Sequence, residues 1–234
     1  MYLANNTRPD LSFAVHQCAR YATDPKQSHE EAVKYICRYL WLTRDKGMIC
    51  TPTPDGELNA YADADFAGRW HQSTTHMRES VLSRTGYVIM YCGCPIIWAS
   101  KLQTEVALSS AESELMALSA CMRVILPMRR LVEEIGEHSF LSDMPLNGVK
   151  ILSHRLKASK VFEDNASCIV MATSENVRPR TRHIATKYYR FKDEVRRGKV
   201  QVIKVGTEHQ LADIFTKSLV KDTFEYLRLR LMGW

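Results

Sequence analysis

No stretch of the 234 residues approaches the run of about eighteen apolar residues that a membrane-spanning helix requires. The first residues do not read as a secretory leader either, because Asn5, Asn6, Arg8 and Asp10 interrupt the first apolar positions. Internal repeats and low-complexity tracts are absent, as is any Cys-x-x-Cys pair. The seven cysteines (18, 37, 50, 92, 94, 121 and 168) are odd in number and scattered, which suits reduced thiols in an intracellular protein. Cys92-Gly93-Cys94 has a one-residue spacer and reads as a hairpin turn rather than half a zinc site. No two aspartates are adjacent anywhere. What remains is an ordinary globular composition, 45% hydrophobic and 25% charged.

The net charge is +6, and its distribution matters more than its sum. Between Arg178 and Lys199 nine lysines and arginines stand against Asp193 and Glu194, a local excess of +7 that leaves the rest of the chain close to neutral. A concentrated basic segment is the footprint of phosphate contact. A solvated helix face gives the same count.

Periodicity divides the chain into three regions. Up to about residue 51 it predicts helices. One starts at Asp10 or Ser12 and carries Leu11, Val15, Cys18 and Ala19; a second opens on a Ser28–Glu31 capping box before Ala32, Tyr35, Ile36, Tyr39 and Leu40. Thr51-Pro-Thr-Pro-Asp-Gly56 is a turn-rich break. The second region opens with strict alternation over 58–66, where Leu58, Ala60, Ala62 and Ala64 face one way and Asn59, Tyr61, Asp63 and Asp65 the other. Residues 67–84 are polar and irregular, 86–91 and 95–100 form a hairpin, and a long helix over 109–135 follows. Gly136 is expected to stop that helix and Pro127 to kink it. The third region predicts a strand over 160–163, a short helix over 166–173, a basic helix over 182–197, a strand over 200–205 and helices over 210–217 and 221–232. This order points to α/β layers around a central mixed sheet.

Four acids fall where burial would be costly without a task. Asp63 lies on the first strand, Glu114 near the start of the long helix, Asp164 at the end of a strand and Asp213 in the first turn of a late helix. Magnesium prefers hard oxygen ligands, and two ions about 3.5–4 Å apart need several carboxylates converging on one point. Strand ends and helix starts are rigid places from which to converge. From residue types alone the bland readings stay open: Asp213 as a helix-dipole partner, Asp164 as a cap.

Tyr61-Ala-Asp-Ala-Asp-Phe-Ala-Gly68, Thr85-Gly-Tyr-Val88, Val106-Ala-Leu-Ser-Ser-Ala-Glu-Ser-Glu-Leu115, Glu163-Asp-Asn165, Thr181-Arg-His-Ile184 and Gln210-Leu-Ala-Asp-Ile-Phe-Thr-Lys217 together resemble the ribonuclease H domain of copia-type LTR retrotransposon polyproteins. The likeness is collinear from about residue 58 onward. Tyr2-Leu3, Thr7-Arg-Pro-Asp10, Ala32-Val-Lys34 and Arg38-Tyr-Leu40 resemble the end of the reverse transcriptase and its connection. The resemblance implies a ribonuclease H-like fold, with a mixed five-stranded sheet flanked by helices and preceded by a short helical segment. It divides the chain into a helical connection (1–52), the ribonuclease H-like domain (53–220) and a C-terminal helix (221–234).

It also implies roles. Asp63, Glu114, Asp164 and Asp213 would be the catalytic, metal-holding carboxylates for two Mg²⁺ ions, with Mn²⁺ as a substitute. Glu112 competes with Glu114, but Ser109-x-x-Glu112 is a capping box, and Glu114 precedes the Leu-Met-Ala-Leu118 that fits the family pattern. Asp65 shares the face of Asp63 as a supporting group. Arg180, Arg182, His183, Lys187 and Arg190 would grip nucleic acid; for His183 a packed structural role weighs equally. His209 is an accessory candidate, although it lies nearer Asp213 than the mobile histidine of many ribonucleases H, and a solvated loop histidine is the commoner case. The long 67–84 segment also departs from the family pattern. The implied activity is two-metal hydrolysis of the RNA strand of an RNA/DNA hybrid during reverse transcription, beside the upstream reverse transcriptase of one polyprotein. Its setting would be cytoplasmic, in virus-like particles, or nuclear.

Three rivals are weaker. An integrase or DDE transposase would need Glu194 as its glutamate and leaves Gln210-Leu-Ala-Asp213 unexplained. A polymerase needs adjacent aspartates, which Asp63-Ala-Asp65 does not supply. A catalytically inactive remnant serving as a nucleic-acid-binding module predicts the same fold and is separated only by assay.

Overall fold

Alternation of small apolar and polar side chains makes Leu58–Asp65 a strand, β1, and its small residues make it central. Ala60 and Ala62 are wholly buried and let a helix approach closely, while Asp63 and Ala64 are buried beside them, so that this end of β1 is covered on both faces. A computed structural model describes residues 1–68, 70–72, 78–138, 156–174 and 189–234. In it β2 (Arg84–Tyr91), β3 (Cys94–Leu102), β4 (Ser159–Glu163) and β5 (Val200–Lys204) join β1 in a single five-stranded sheet ordered β3-β2-β1-β4-β5. The first three strands form an antiparallel meander, whereas β4 lies parallel to β1 and β5 parallel to β4. The mixed sheet expected from the element order is therefore the one observed. The hairpin turn is Cys92-Gly93, both with positive φ (49° and 76°), between the paired Tyr91 and Cys94. Two left-handed residues match the twist of the flanking strands.

The helices are α1 (Tyr2–Asn6), α2 (Ser12–Ala19), α3 (Gln27–Leu42), α4 (Arg78–Val81), α5 (Ser110–His138), α6 (Ala166–Thr173), α7 (Tyr189–Arg196), α8 (Asp213–Thr216) and α9 (Lys221–Met232). Several boundaries differ from expectation. Helix α3 begins before Ser28: Lys26 is its N-cap, and the Lys26 N–H donates to His29 Nδ1 at 3.0 Å, so the Ser28–Glu31 box is not the start. Helix α5 runs on past Gly136, with Pro127 inside it as expected. A glycine ends a helix by turning left-handed, and Gly136 is not among the glycines with positive φ. The helix expected over 210–217 shrinks to the single turn of α8, because the Gln210 side chain is diverted to the sheet, its Nε2 donating to Ala62 O at 2.9 Å. Of the expected basic helix, 182–188 lies outside the described residues. Within the 67–84 segment α4 is the regular element described.

Two cores flank the sheet. On one face Leu58, Ala60, Ala62, Ile89, Val161 and Val200 pack under Leu115, Leu118, Met122 and Ile125 of α5, with Cys168 of α6 and Phe191 of α7. On the other, Val88 and Met90 meet Leu211, Ile214 and Phe215 around α8 and Leu227, Leu231 and Met232 of α9. The N-terminal helices attach at the β3 side: Trp98 Nε1 donates to Ala4 O at 2.7 Å and Arg84 Nη2 to Gln17 Oε1 at 2.6 Å. Helix α3 itself buries no residue and leaves Tyr35, Trp41 and Leu42 exposed.

Candidate metal centre

The sheet's order brings the C-terminal ends of the parallel β1 and β4 side by side, and these carry Asp63 and Asp164. Helix α5 crosses β1 with its first turns at that same end and delivers Glu114. One carboxylate oxygen each from Asp63, Glu114 and Asp164 lie within 4.8 Å of one another. Each is held by its own framework. Glu114 Oε2 accepts the Ala64 N–H at 2.6 Å, which locks α5 onto the strand one residue beyond Asp63. Asp63 Oδ2 accepts a short hydrogen bond from Thr216 Oγ1. Asp164 Oδ2 accepts from Thr207 Oγ1 at 2.9 Å.

The bland tasks fall to neighbouring residues. Asn165 caps α6, accepting the Cys168 N–H at 3.0 Å, so Asp164 has no capping duty there. Glu112 stays at the helix start, accepting the Leu108 N–H at 2.8 Å, while its own N–H donates to Ser109 Oγ at 3.2 Å. Asp213 opens α8 on the opposite face, buried at 3% exposure. Its Oδ1 meets no donor at hydrogen-bonding angles; it faces the Lys217 ammonium, 2.9 Å away, which also lies 3.9 Å from Asp63 Oδ2.

Glycine makes this face possible. Gly86 pairs with Asp63 across the β1–β2 ladder, and a methyl group there would stand 2.6 Å from Thr216 Cγ2, 2.8 Å from Phe215 Cβ and 2.9 Å from Ala212 O. Only a residue without Cβ lets α8 lie so close above Asp63. The Thr-Gly-Tyr-Val motif and the Ala-Asp-Ile-Phe-Thr motif are thus two sides of one contact.

Burial and mutual repulsion dominate the electrostatics. Burial raises the pKa of Asp63, an effect that Lys217 and Thr216 partly offset. Burial first, then the charges of Asp63, Glu163 and Asp164, pushes Glu114 up to about 11. Asp213 rises to about 7 through burial and the nearby Asp63. A fifth carboxylate, Glu163, sits fully buried between Glu114 and Cys168, and burial lifts it to about 9. Its Oε1 accepts the Asn165 N–H at 3.2 Å and its Oε2 has no partner. Sequence reasoning does not single out Glu163. The available signal is β4's alternation, which puts it on the inward side with Val161 and Ser159.

The remaining candidates sit apart. Asp65 follows on β1, paired in register with Arg84. His209 turns toward α9, its Nδ1 2.7 Å from the Tyr226 hydroxyl and its Nε2 3.7 Å from Glu208. Arg180, Arg182, His183 and Lys187 lie outside the described residues, and Arg190 lies in the first turn of α7.

The donor set is all hard oxygen, with Lys217 as a paired cation and a buried Glu163 Oε2 that accepts no hydrogen bond. That is the composition a hard metal ion fits.

A sheet ordered β3-β2-β1-β4-β5, with acids at the ends of β1 and β4 and at the start of the crossing helix, makes this a ribonuclease H-like domain. Over nearly its whole length the chain matches one region of copia-type retrotransposon Pol polyproteins, and it spans 13–15% of the length of these relatives. It is 32% identical over 225 residues to the retrovirus-related Pol polyprotein from transposon TNT 1-94 of Nicotiana tabacum, covering 96% of this chain but 15% of that polyprotein. It is also 42% identical over 119 residues to the secreted RxLR effector protein 161 of Plasmopara viticola, covering 51% of this chain and 78% of the effector. Among solved structures, LC11-RNase H1 isolated from compost aligns over 73% of this chain and 97% of its own, at 14% identity and a TM-score of 0.42. No protein-family model matches the chain. No described helix is long and apolar enough to cross a membrane.

Proposed function

We propose that this chain is a ribonuclease H that hydrolyses the RNA strand of RNA/DNA hybrids, with two divalent ions held by Asp63, Glu114, Asp164 and Asp213. The observation that carries the proposal is the meeting of three carboxylates from β1, α5 and the end of β4 within 4.8 Å, in a chain that matches a region of copia-type Pol polyproteins. When bound, the ions activate the attacking water and stabilise the leaving oxygen. The chain's own residues do the rest. Thr216 and Thr207 orient Asp63 and Asp164 by hydrogen bonds, and the Glu114–Ala64 bond fixes α5 against β1. Rigid placement of this kind keeps the reorganisation cost of the chemical step low.

The hybrid partner would be gripped through phosphates and RNA 2′-hydroxyls by Arg180, Arg182, His183, Lys187 and Arg190, with little sequence preference. The exposed Tyr35, Trp41 and Leu42 of α3 fit an interface with the upstream reverse transcriptase of the same polyprotein. On this reading the reaction belongs to reverse transcription, in a cytoplasmic virus-like particle or the nucleus. A second reading, a nucleic-acid-binding module without catalysis, draws on the Plasmopara relative, a short protein named as a secreted effector.

Cleavage of an end-labelled RNA/DNA hybrid in Mg²⁺, Mn²⁺ or EDTA, beside Asp63→Asn and Glu114→Gln, separates these readings. We expect metal-dependent cutting of RNA only within the hybrid, reduced roughly a thousandfold by each substitution, since each removes a proposed metal ligand. Hybrid binding without cutting in either metal sinks the enzyme in favour of the binding module.

A further inference from the structure

Arg129, which is buried, and Lys217, which is part-exposed, both lie beside carboxylates in the sheet region, and they are held differently. Arg129 on α5 donates to Lys157 O at 2.6 Å, Ser159 Oγ at 2.8 Å and Leu156 O at 3.3 Å besides its pairing with Glu133. Directional bonds to main-chain carbonyls make it a fixed part of the scaffold. Among the described residues Lys217 is held by carboxylates alone: its ammonium lies 2.9 Å from Asp213 Oδ1 and 3.9 Å from Asp63 Oδ2. It hangs on a flexible stem immediately after the single turn of α8, and its side chain is 36% exposed. Those two oxygens belong to residues that, on the reading above, hold the metal. An ammonium and a divalent ion cannot both take them at such distances, since like charges that close repel strongly in a partly buried site.

We infer that Lys217 is a tethered counter-ion that occupies the Asp63 and Asp213 oxygens in the metal-free protein and is exchanged for a divalent ion when metal binds. This inference rests on the proposed metal site. Neutralising the acids from within lets the metal-free chain fold with its cluster assembled, and each binding event must displace the ammonium toward solvent. Lys217 thereby lowers affinity for the metal while preserving the site that receives it. The exposed stem gives the displaced ammonium a route outward along the mouth of the cluster, where a bound phosphate would lie.

Isothermal titration with Mn²⁺ in the absence of substrate tests the exchange. Lys217→Met should bind Mn²⁺ on the order of tenfold more tightly than the wild type, and its metal-free melting midpoint should fall while the saturated midpoints converge. Lys217→Arg, which keeps the charge, should stay close to wild type in both. A second measurement needs no variant to fold. In the ¹⁵N-lysine spectrum of the wild type, the Lys217 ammonium signal should be slow to exchange without metal and lost on saturation with Mg²⁺. Affinity that is unchanged or weaker in Lys217→Met, with an ammonium signal indifferent to Mg²⁺, overturns the counter-ion. Binding that is absent from wild type and Lys217→Met alike, or that survives Asp63→Asn undiminished, overturns the metal site itself.

Discussion

Among the described residues, a buried ionic cluster on the N-terminal segment contrasts with the one at the end of β1. In the first, Arg8 Nε and Nη2 donate to the two oxygens of Asp10 at 3.0 and 2.8 Å, the Tyr39 hydroxyl adds a bond to Asp10 at 2.7 Å, and Arg8 also reaches Thr43 O at 3.2 Å. Charges cancel and the buried oxygens are satisfied. In the second, Asp63, Glu114, Glu163 and Asp213 are buried with Asp164 beside them, and Lys217 is the cation paired to them. A balanced buried pair needs nothing from outside, whereas an unbalanced one raises its own pKa values until protons or metal ions arrive. The difference separates a clamp from a site, although both look alike as charged residues in a sequence.

The sharpest break of that comparison is to remove one partner from each cluster. Asp10→Ala strands a buried guanidinium and should cost about 3–5 kcal/mol in urea unfolding. Asp63→Asn removes a surplus charge, so its metal-free form should be no less stable than wild type. Equal losses in the two variants would erase the distinction.

Next in size is Gly86→Ala, where the added methyl meets backbone and side chain of α8 within 2.9 Å. Overpacking of this kind should cost about 1–3 kcal/mol and weaken Mn²⁺ binding together with stability.

The pH dependence follows from the same surplus. Asp213, Glu163 and Glu114, lifted to about 7, 9 and 11, hold protons more tightly in the folded than in the unfolded chain. Metal-free stability should therefore rise as pH falls from about 8 toward the ordinary carboxylate pKa near 4–5, the reverse of a salt-bridged carboxylate. Saturating Mg²⁺ should flatten that slope, because bound metal replaces the protons. Melting scans at several pH values with and without metal check it; a metal-free midpoint that climbs toward alkaline pH would count against an uncompensated cluster. The smallest effect belongs to Thr207→Val, which loses one exposed hydrogen bond to Asp164 and should slow cleavage by about threefold with stability changed by less than about 1 kcal/mol.

Much of this was legible before the structure. Period-two alternation marks β1, the one-residue spacer marks the Cys92-Gly93 turn, and the run after Lys221 marks α9 at its observed bounds. Local rules failed where tertiary partners intervene. Ser28–Glu31 is a sound capping pattern, yet the helix starts earlier on Lys26 and His29. Gly136 is a stop signal that the packed end of α5 ignores. Glu163 illustrates the deeper limit: its burial depends on β4 lying between β1 and β5, which no short-range pattern encodes. Lys217 was within reach, since it stands four residues beyond Asp213, the spacing at which helical side chains meet. The attachment of α1 and α2 to the sheet rests on contacts such as Trp98 to Ala4, separated by 94 positions, and is invisible to periodicity.

The late position of α8 sets a timetable for synthesis. A ribosome that has completed α6 has already made Asp63, Glu114 and Asp164, but Asp213, Thr216 and Lys217 are still untranslated. Until that single turn docks on Gly86, one side of the cluster stays open to water and Asp63 lacks both its hydroxyl donor and its ammonium. Domains that depend on their last elements assemble only after those elements leave the exit tunnel. A nascent chain stopped before α8 would thus carry three of the acids without a finished centre, keeping the activity proposed here silent until that turn has been made.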